Sequence, residues 1–188
     1  MKQRCFWVPE GDELYTKYHD EEWGVPVHDD QTWFEFLTLE GFQAGLSWKT
    51  ILYKRENFRK AFADFDPQKI ARFGDKEIAG LLNDAGIIRN KLKINAAVAN
   101  AKVFLDVQAK YGSFDKYIWQ FTDGRPIINQ WEKDEQIPAS TPLSDKMSRE
   151  LKSLGFKFVG TTICYAHMQA TGMVNDHTVS CFRHKELS

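Results

Sequence analysis

Leu81-Leu82-Asn83-Asp84-Ala85-Gly86-Ile87-Ile88-Arg89-Asn90-Lys91-Leu92-Lys93 is the stretch on which the reading of the fold turns. Ile78, Leu81 and Leu82 lie on one helical face that runs from Asp75 and stops at Gly86, and a second helical pattern begins at Lys91. Two amphipathic helices around a tight turn pack antiparallel, and the same signals recur outward in both directions. Toward the N-terminus, Asp66-Pro67 is a cap followed by proline at the first helical position, opening a short helix through Phe73. Ser47 caps a segment in which Trp48, Ile51, Leu52, Arg55, Phe58 and Phe62 follow the helical period. Asp29 or Asp30 opens another that runs to about Ala44 and carries Trp33, Phe34, Leu37 and Phe42. Toward the C-terminus, Lys91 to about Lys110 is alanine-rich, with Leu92, Ala96, Ala99 and Val103 on one face, and ends at Tyr111-Gly112. A short helix at 113–121 precedes a proline-bearing loop over 123–142. Ser144 then starts a helix ending at Gly155, Thr161 or Thr162 starts one ending at Gly172, and Asn175-Asp176 caps a last turn through Cys181. The tail from Phe182 is polar and expected to fray. Strand signal is confined to Phe156-Lys157-Phe158-Val159, too little for a sheet. The expected fold class is all-α, in one unit.

Composition bounds the function classes. The chain has 188 residues, 43% of them apolar, enough to bury a core without disulfide staples. Its three cysteines, Cys5, Cys164 and Cys181, cannot all pair, so no disulfide framework is expected. No apolar run approaches membrane-spanning length, and Phe6-Trp7-Val8 is too short for the core of a signal peptide, which makes a cytoplasmic location the expectation. With 25 Lys+Arg against 26 Asp+Glu, nucleic acid cannot be held through overall charge, although a local basic patch stays open. Aromatic residues make up 14%, with 6 Trp, which suits cores or stacking pockets.

Three constellations carry chemistry. In the hairpin, backbone N–H groups at the start of the second helix, its dipole, and Arg89, Lys91 and Lys93 together suit a phosphate. The stretch resembles a helix-hairpin-helix around Gly86, with Ile88 where a second glycine usually follows; an ordinary helical hairpin fits it as well. His177 and Cys181 are four residues apart, on one face if the segment is helical, and make a workable half of a zinc site, for which Cys5 and His19 offer the other half. Closed Cys2His2 coordination leaves no position for water and is structural; unrelated buried thiols and histidines are the alternative reading. In Leu39-Glu40-Gly41-Phe42-Gln43-Ala44-Gly45-Leu46-Ser47-Trp48, one carboxylate stands at an otherwise apolar helix end. Either Glu40 faces solvent, or it is the acceptor of a pocket whose aromatic walls come from Tyr15, Tyr18 and Trp23, as recognition of an extruded base requires.

Taken together, Arg4-Cys5-Phe6-Trp7-Val8, Tyr18-His19-Asp20-Glu21-Glu22-Trp23-Gly24-Val25-Pro26, the segment from Leu39 to Trp48, Asn83-Asp84-Ala85-Gly86-Ile87-Ile88-Arg89 and Gly155-Phe156-Lys157-Phe158-Val159-Gly160-Thr161-Thr162-Ile163-Cys164-Tyr165 resemble the bacterial 3-methyladenine DNA glycosylase I family, up to about Cys181. The resemblance implies a glycosylase of the helix-hairpin-helix superfamily, with the hairpin at about 75–110 and termini 1–25 and 160–182 joined by a structural zinc on Cys5, His19, His177 and Cys181. It implies that Glu40 reads the base edge and that Tyr18 and Trp48 form stacking walls, with Trp7, Tyr15 and Trp23 lining the same pocket. Gly45-Leu46 matches the loop that fills the gap in the duplex, and Gly86, Arg89, Lys91 and Lys93 lie where the hairpin grips phosphate. The implied activity is base excision repair: hydrolysis that frees 3-methyladenine from alkylated double-stranded DNA and leaves an abasic site without strand cleavage, by a monomer with no membrane partner. The family lacks the sugar-cation aspartate of many superfamily members, so Asp106 and Asp115 are not assigned that role. A non-catalytic binder of damaged DNA and a zinc-stabilised interaction module are the competing readings, and Glu40 with both stacking positions argues against them.

Overall fold

Helix α2 (Asp30–Gln43) runs through the middle of the computed structural model, which describes residues 2–188, and every residue from Trp33 to Phe42 on it is buried. A helix buried on all sides is a central one, and the polar Glu35, Thr38 and Glu40 are carried inside with it. Asp29 caps its start by accepting from the Thr32 amide at 2.8 Å. The Asp30 carboxylate accepts from the amides of Phe114 and Asp115 and from the Gln108 amide group, fastening two later helices to the same end. Against α2 pack α3 (Trp48–Ala61), α6 (Lys91–Tyr111), α7 (Phe114–Ile118) and α9 (Thr161–Ala170), with α1 (Glu13–Glu21) against α3, α4 (Pro67–Ile70) and α5 (Asp75–Asn83) against α6, α8 (Pro142–Leu154) against α9, and α10 (Phe182–Glu186) last in the chain order. The main core is aromatic, with Phe34 on Phe104, Phe42 on Phe58 and Phe62, and Phe104 stacked on Phe114 at 4.3 Å. A second, smaller cluster gathers Cys5, Tyr18, Trp23, Phe36, Leu52 and Cys181, and the functional groups collect beside it.

Several expectations need correction. Helix α1 is not among the expected elements; Asp12 caps it, accepting from the Tyr15 amide at 3.0 Å. On α6 the buried side is Ile94, Ala97, Val98, Ala101, Phe104 and Val107, with Ala96 buried and Val103 packed at its edge as expected, while Leu92 is 74% exposed. Helix α8 starts at Pro142, capped by Thr141, whose hydroxyl accepts from the Ser144 amide. Phe156–Val159 is not a strand. Phe158 has φ of 55°, and Asn100 takes both backbone groups of Lys157, at 2.7 and 3.0 Å, in place of a sheet partner. Among the described residues the strand pairing that does occur is a two-residue parallel one, β1 (Ile127–Ile128), inside the stretch expected to be loop, with β2 (Val174–Asn175), just before the expected last turn. Residues from Asp176 to Cys181 form bends and a tight turn in place of the expected helical turn, and the expected fraying tail instead forms α10, with the Phe182 amide donating to the Gln3 carbonyl at 2.9 Å.

One buried ionic group ties the site-bearing helices together. Arg55 of α3 donates from Nε to Glu35 of α2 and from a terminal nitrogen to Glu22 at the end of α1, both at 2.6 Å. A lysine in this place would lack the planar, pre-organised fork that serves both carboxylates from separate nitrogens. Arg55→Lys is therefore expected to lower stability by about 1–2 kcal/mol, read as a lower urea midpoint at unchanged slope; an unchanged midpoint contradicts this role.

Candidate active site

Where α1, α2 and α3 converge, they open a cavity of about 540 Å³. Tyr15 and Tyr18 stand one turn apart on α1, Trp48 is the first residue of α3, Trp23 follows α1, and Trp7 comes from the N-terminal segment. Tyr18 and Trp48 lie 5.3 Å apart between ring centroids at 39°, and Trp7 meets Trp23 edge-on at 4.9 Å. All five expected wall residues line one cavity with Glu40. Glu40 is 3% exposed and projects from α2 into it. Among the described residues no cation pairs with it, and burial alone pushes its carboxyl up to about 8. The Tyr18 phenol is raised well above its ordinary value by burial and then by the nearby Glu40 charge.

Sequence reasoning missed one side of this cavity. Phe6, Gln43, Asp134, Ile137, Ala166 and Gln169 complete it. Both carboxylate oxygens of Asp134 are buried, and burial raises its carboxyl above the ordinary value. Gln169 donates to Asp176 at 2.9 Å, which leaves its carbonyl as the free end of the side chain. Asp134 opens and Ile137 closes a single 3-10 turn within a stretch that has no helical periodicity in sequence, and Ala166 and Gln169 lie on a helix distant in sequence, so no local pattern points to them. Asp106 and Asp115 do not line the cavity; Asp115 accepts from the Trp33 indole at 3.0 Å.

Directly behind the aromatic wall, one donor atom each from Cys5, His19, His177 and Cys181 lies within 4.8 Å of every other, and all four residues are buried. The two imidazoles are oriented by their far nitrogens. His19 Nδ1 meets Asp20 at 2.8 Å, and His177 Nε2 donates to the Trp23 carbonyl at 2.9 Å. That leaves His19 Nε2 at 3.4 Å from the Cys181 sulfur and His177 Nδ1 at 3.4 and 3.5 Å from the two sulfurs. Tetrahedral zinc with ordinary bond lengths puts sulfur and nitrogen ligands about 3.5 Å apart, so the donor set fits that ion. Gly24, with φ of 81°, passes so close to His177 that a side chain there would meet the ring at 3.1 Å. Trp7 packs edge-on to His19 and Trp23 edge-on to His177, so pocket wall and donor cluster form one packed unit.

The hairpin forms between α5 and α6. The Gly86 amide is taken by the Asp84 carboxylate at 2.7 Å, and its carbonyl accepts from Asn57 of α3 at 3.2 Å. A side chain at Gly86 would meet these same two residues at 3.0 and 3.1 Å. Asn90 caps α6, and Arg89 and Lys91 are exposed beside the cap. Lys93 departs from expectation: it is buried, and its ammonium donates to the carbonyls of Phe42 and Ala44 rather than facing outward. The loop after α2 has Gly45 at φ of 77° and projects Leu46, 40% exposed.

A family model described as methyladenine glycosylase matches residues 7–184. The chain belongs to the methyladenine glycosylase family. It is 49% identical over 179 residues, 95% of both chains, to DNA-3-methyladenine glycosylase 1 of Escherichia coli (strain K12). Its structure superposes on a crystal structure of 3-methyladenine DNA glycosylase I (TAG) with a TM-score of 0.93 at 51% identity, covering 96% of this chain and 98% of the other. A second solved structure, a variant of 3-methyladenine DNA glycosylase I in complex with 3-methyladenine, matches with a TM-score of 0.89 at 34% identity over 92% of each chain. As a methyladenine glycosylase, this chain carries the acidic residue, the aromatic walls and the Cys/His cluster in one contiguous region.

Proposed function

We propose that the protein is a DNA-3-methyladenine glycosylase, a hydrolase of the N-glycosyl bond that starts base excision repair. The observation that carries the reading is Glu40, a buried and unpaired carboxyl inside a pocket with aromatic walls. A 3-methylated deoxyadenosine is cationic. Extruding it from the duplex costs a few kcal/mol, less for a damaged base. Each aromatic face then favours the cation over neutral adenine by about 0.5–2 kcal/mol, and Tyr18 with Trp48 supplies the stack. The incoming cation draws the Glu40 carboxyl down from its raised value, so the carboxylate forms as the damaged base arrives and accepts from the exocyclic amine. The C1′–N9 bond breaks with its electron pair going to the base, which leaves as a neutral molecule and needs little acid catalysis. Water adds at C1′ and loses a proton to solvent, leaving an abasic site. Once the base is neutral, Glu40 recovers its proton and its hold weakens. No lysine nucleophile is implied, so the strand stays intact.

Cys5, His19, His177 and Cys181 hold a zinc ion that closes the termini into one unit and carries no catalytic step. In this reading the hairpin is a helix-hairpin-helix: the free amides of the first turn of α6, with exposed Arg89 and Lys91, take a phosphate of double-stranded DNA, and Leu46 fills the gap left by the extruded base. The enzyme works as a cytoplasmic monomer. Chromatography of the bases released from methylated DNA tests the reading: 3-methyladenine is expected, and release of no base refutes it.

A further inference from the structure

Lys93 lies in the first turn of α6, where a cation opposes the helix's own dipole, and it is 9% exposed. Its side chain crosses from the hairpin to the end of α2, where Nζ donates to the Phe42 carbonyl at 2.9 Å and the Ala44 carbonyl at 2.5 Å. These are acceptors that the end of a helix leaves without intrahelical partners. Burial lowers the lysine's pKa, and no carboxylate faces it among the described residues. Ala44 leads straight into Gly45 and Leu46, and Glu40 sits on the last turn of the same helix. One ammonium thus fastens the hairpin to both the loop and the base-reading helix. We propose that Lys93 is a positioning residue for base extrusion: it holds the Gly45-Leu46 loop in register with the hairpin, so that gripping the phosphate backbone brings Leu46 to the gap. The inference rests on the glycosylase reading and on Leu46 as the gap filler.

Lys93→Met keeps the unbranched stem and removes the ammonium. The measurement is single-turnover release of 3-methyladenine from a duplex and from a single strand of the same sequence. A gap to be filled exists only in the duplex, so the duplex-to-single-strand ratio of rates is expected to fall at least tenfold. The slope of log affinity against log salt is expected to stay at its wild-type value, because the ammonium touches no phosphate. Lys93→Gln, which keeps a donor without the charge, is expected to lower the ratio at least threefold and decides the matter if the methionine variant fails to fold. An unchanged ratio, equal losses on both substrates, or a shallower salt slope overturns the proposal. Wild-type protein that releases no base refutes the enzymatic reading, and the inference with it; active wild-type protein with an unchanged variant ratio refutes the inference alone.

Discussion

Replacing Cys181 by alanine, or stripping the metal with a chelator, lowers the thermal midpoint by about 10 °C or more and abolishes base release. A bound ion would link Cys5 and His19 at one end of the chain to His177 and Cys181 at the other, closing a loop that spans nearly the whole sequence. By analogy with a disulfide closing a loop of this size, such a clip contributes on the order of 4–5 kcal/mol. In a domain of this length each kcal/mol moves the midpoint by about 2–4 °C. Activity falls with stability because Trp7 and Trp23 pack against the ligand imidazoles, so loosening the cluster loosens the pocket wall. Metal analysis of purified protein is expected to return one zinc per chain. Protein without metal, whose Cys5 and Cys181 react freely with a thiol reagent, contradicts this account.

Glu40→Gln is expected to slow release of 3-methyladenine by about 10–150-fold, the equivalent of one hydrogen bond to a charged group at 1.5–3 kcal/mol. It is expected to leave the fold intact and to stabilise it at high pH. Burial raises the Glu40 carboxyl from an ordinary 4.5 to about 8, so the folded protein holds a proton that the unfolded chain has lost. The stability due to this proton is present below the ordinary value and is lost as pH rises through about 8. Glutamine removes that loss, and the midpoint of Glu40→Gln is expected to exceed wild type at pH 8.5 and to match it more closely at pH 5. The same group governs the rate. Wild-type release at limiting substrate is expected to rise between pH 6 and 8, and the variant's to stay flat across that range. Wild-type activity in Glu40→Gln, or a pH profile that survives the substitution, removes Glu40 from the mechanism.

Much of this architecture is legible in the sequence because helix starts are local. Asp29, Ser47, Asp66 and Asn90 cap the helices that follow them, through side-chain contacts within three residues. Other features escaped because their causes are distant. Leu92 reads as a core residue until Phe104 and Ile94 set the rotation of α6, and Phe156–Val159 reads as a strand until Asn100 occupies its backbone. At the site, residues carried by long motifs were findable, including Glu40, Tyr18 and Trp48. Asp134 and Gln169 were not, since only the fold brings them to the cavity. Lys93 shows the opposite failure: its position beside Arg89 and Lys91 suggested phosphate, and only the structure reveals that its charge is used inside.

In the proposed mechanism a buried carboxyl and an aromatic stack remove a cationic base by hydrolysis alone. The most direct measurement uses a duplex with a single 3-methyladenine, following the released base by chromatography and the labelled strand by denaturing electrophoresis in the same reaction. Free 3-methyladenine is expected in step with an abasic strand that stays full-length until treated with alkali. Binding without base release, or strand breaks that appear before alkali, contradicts that mechanism.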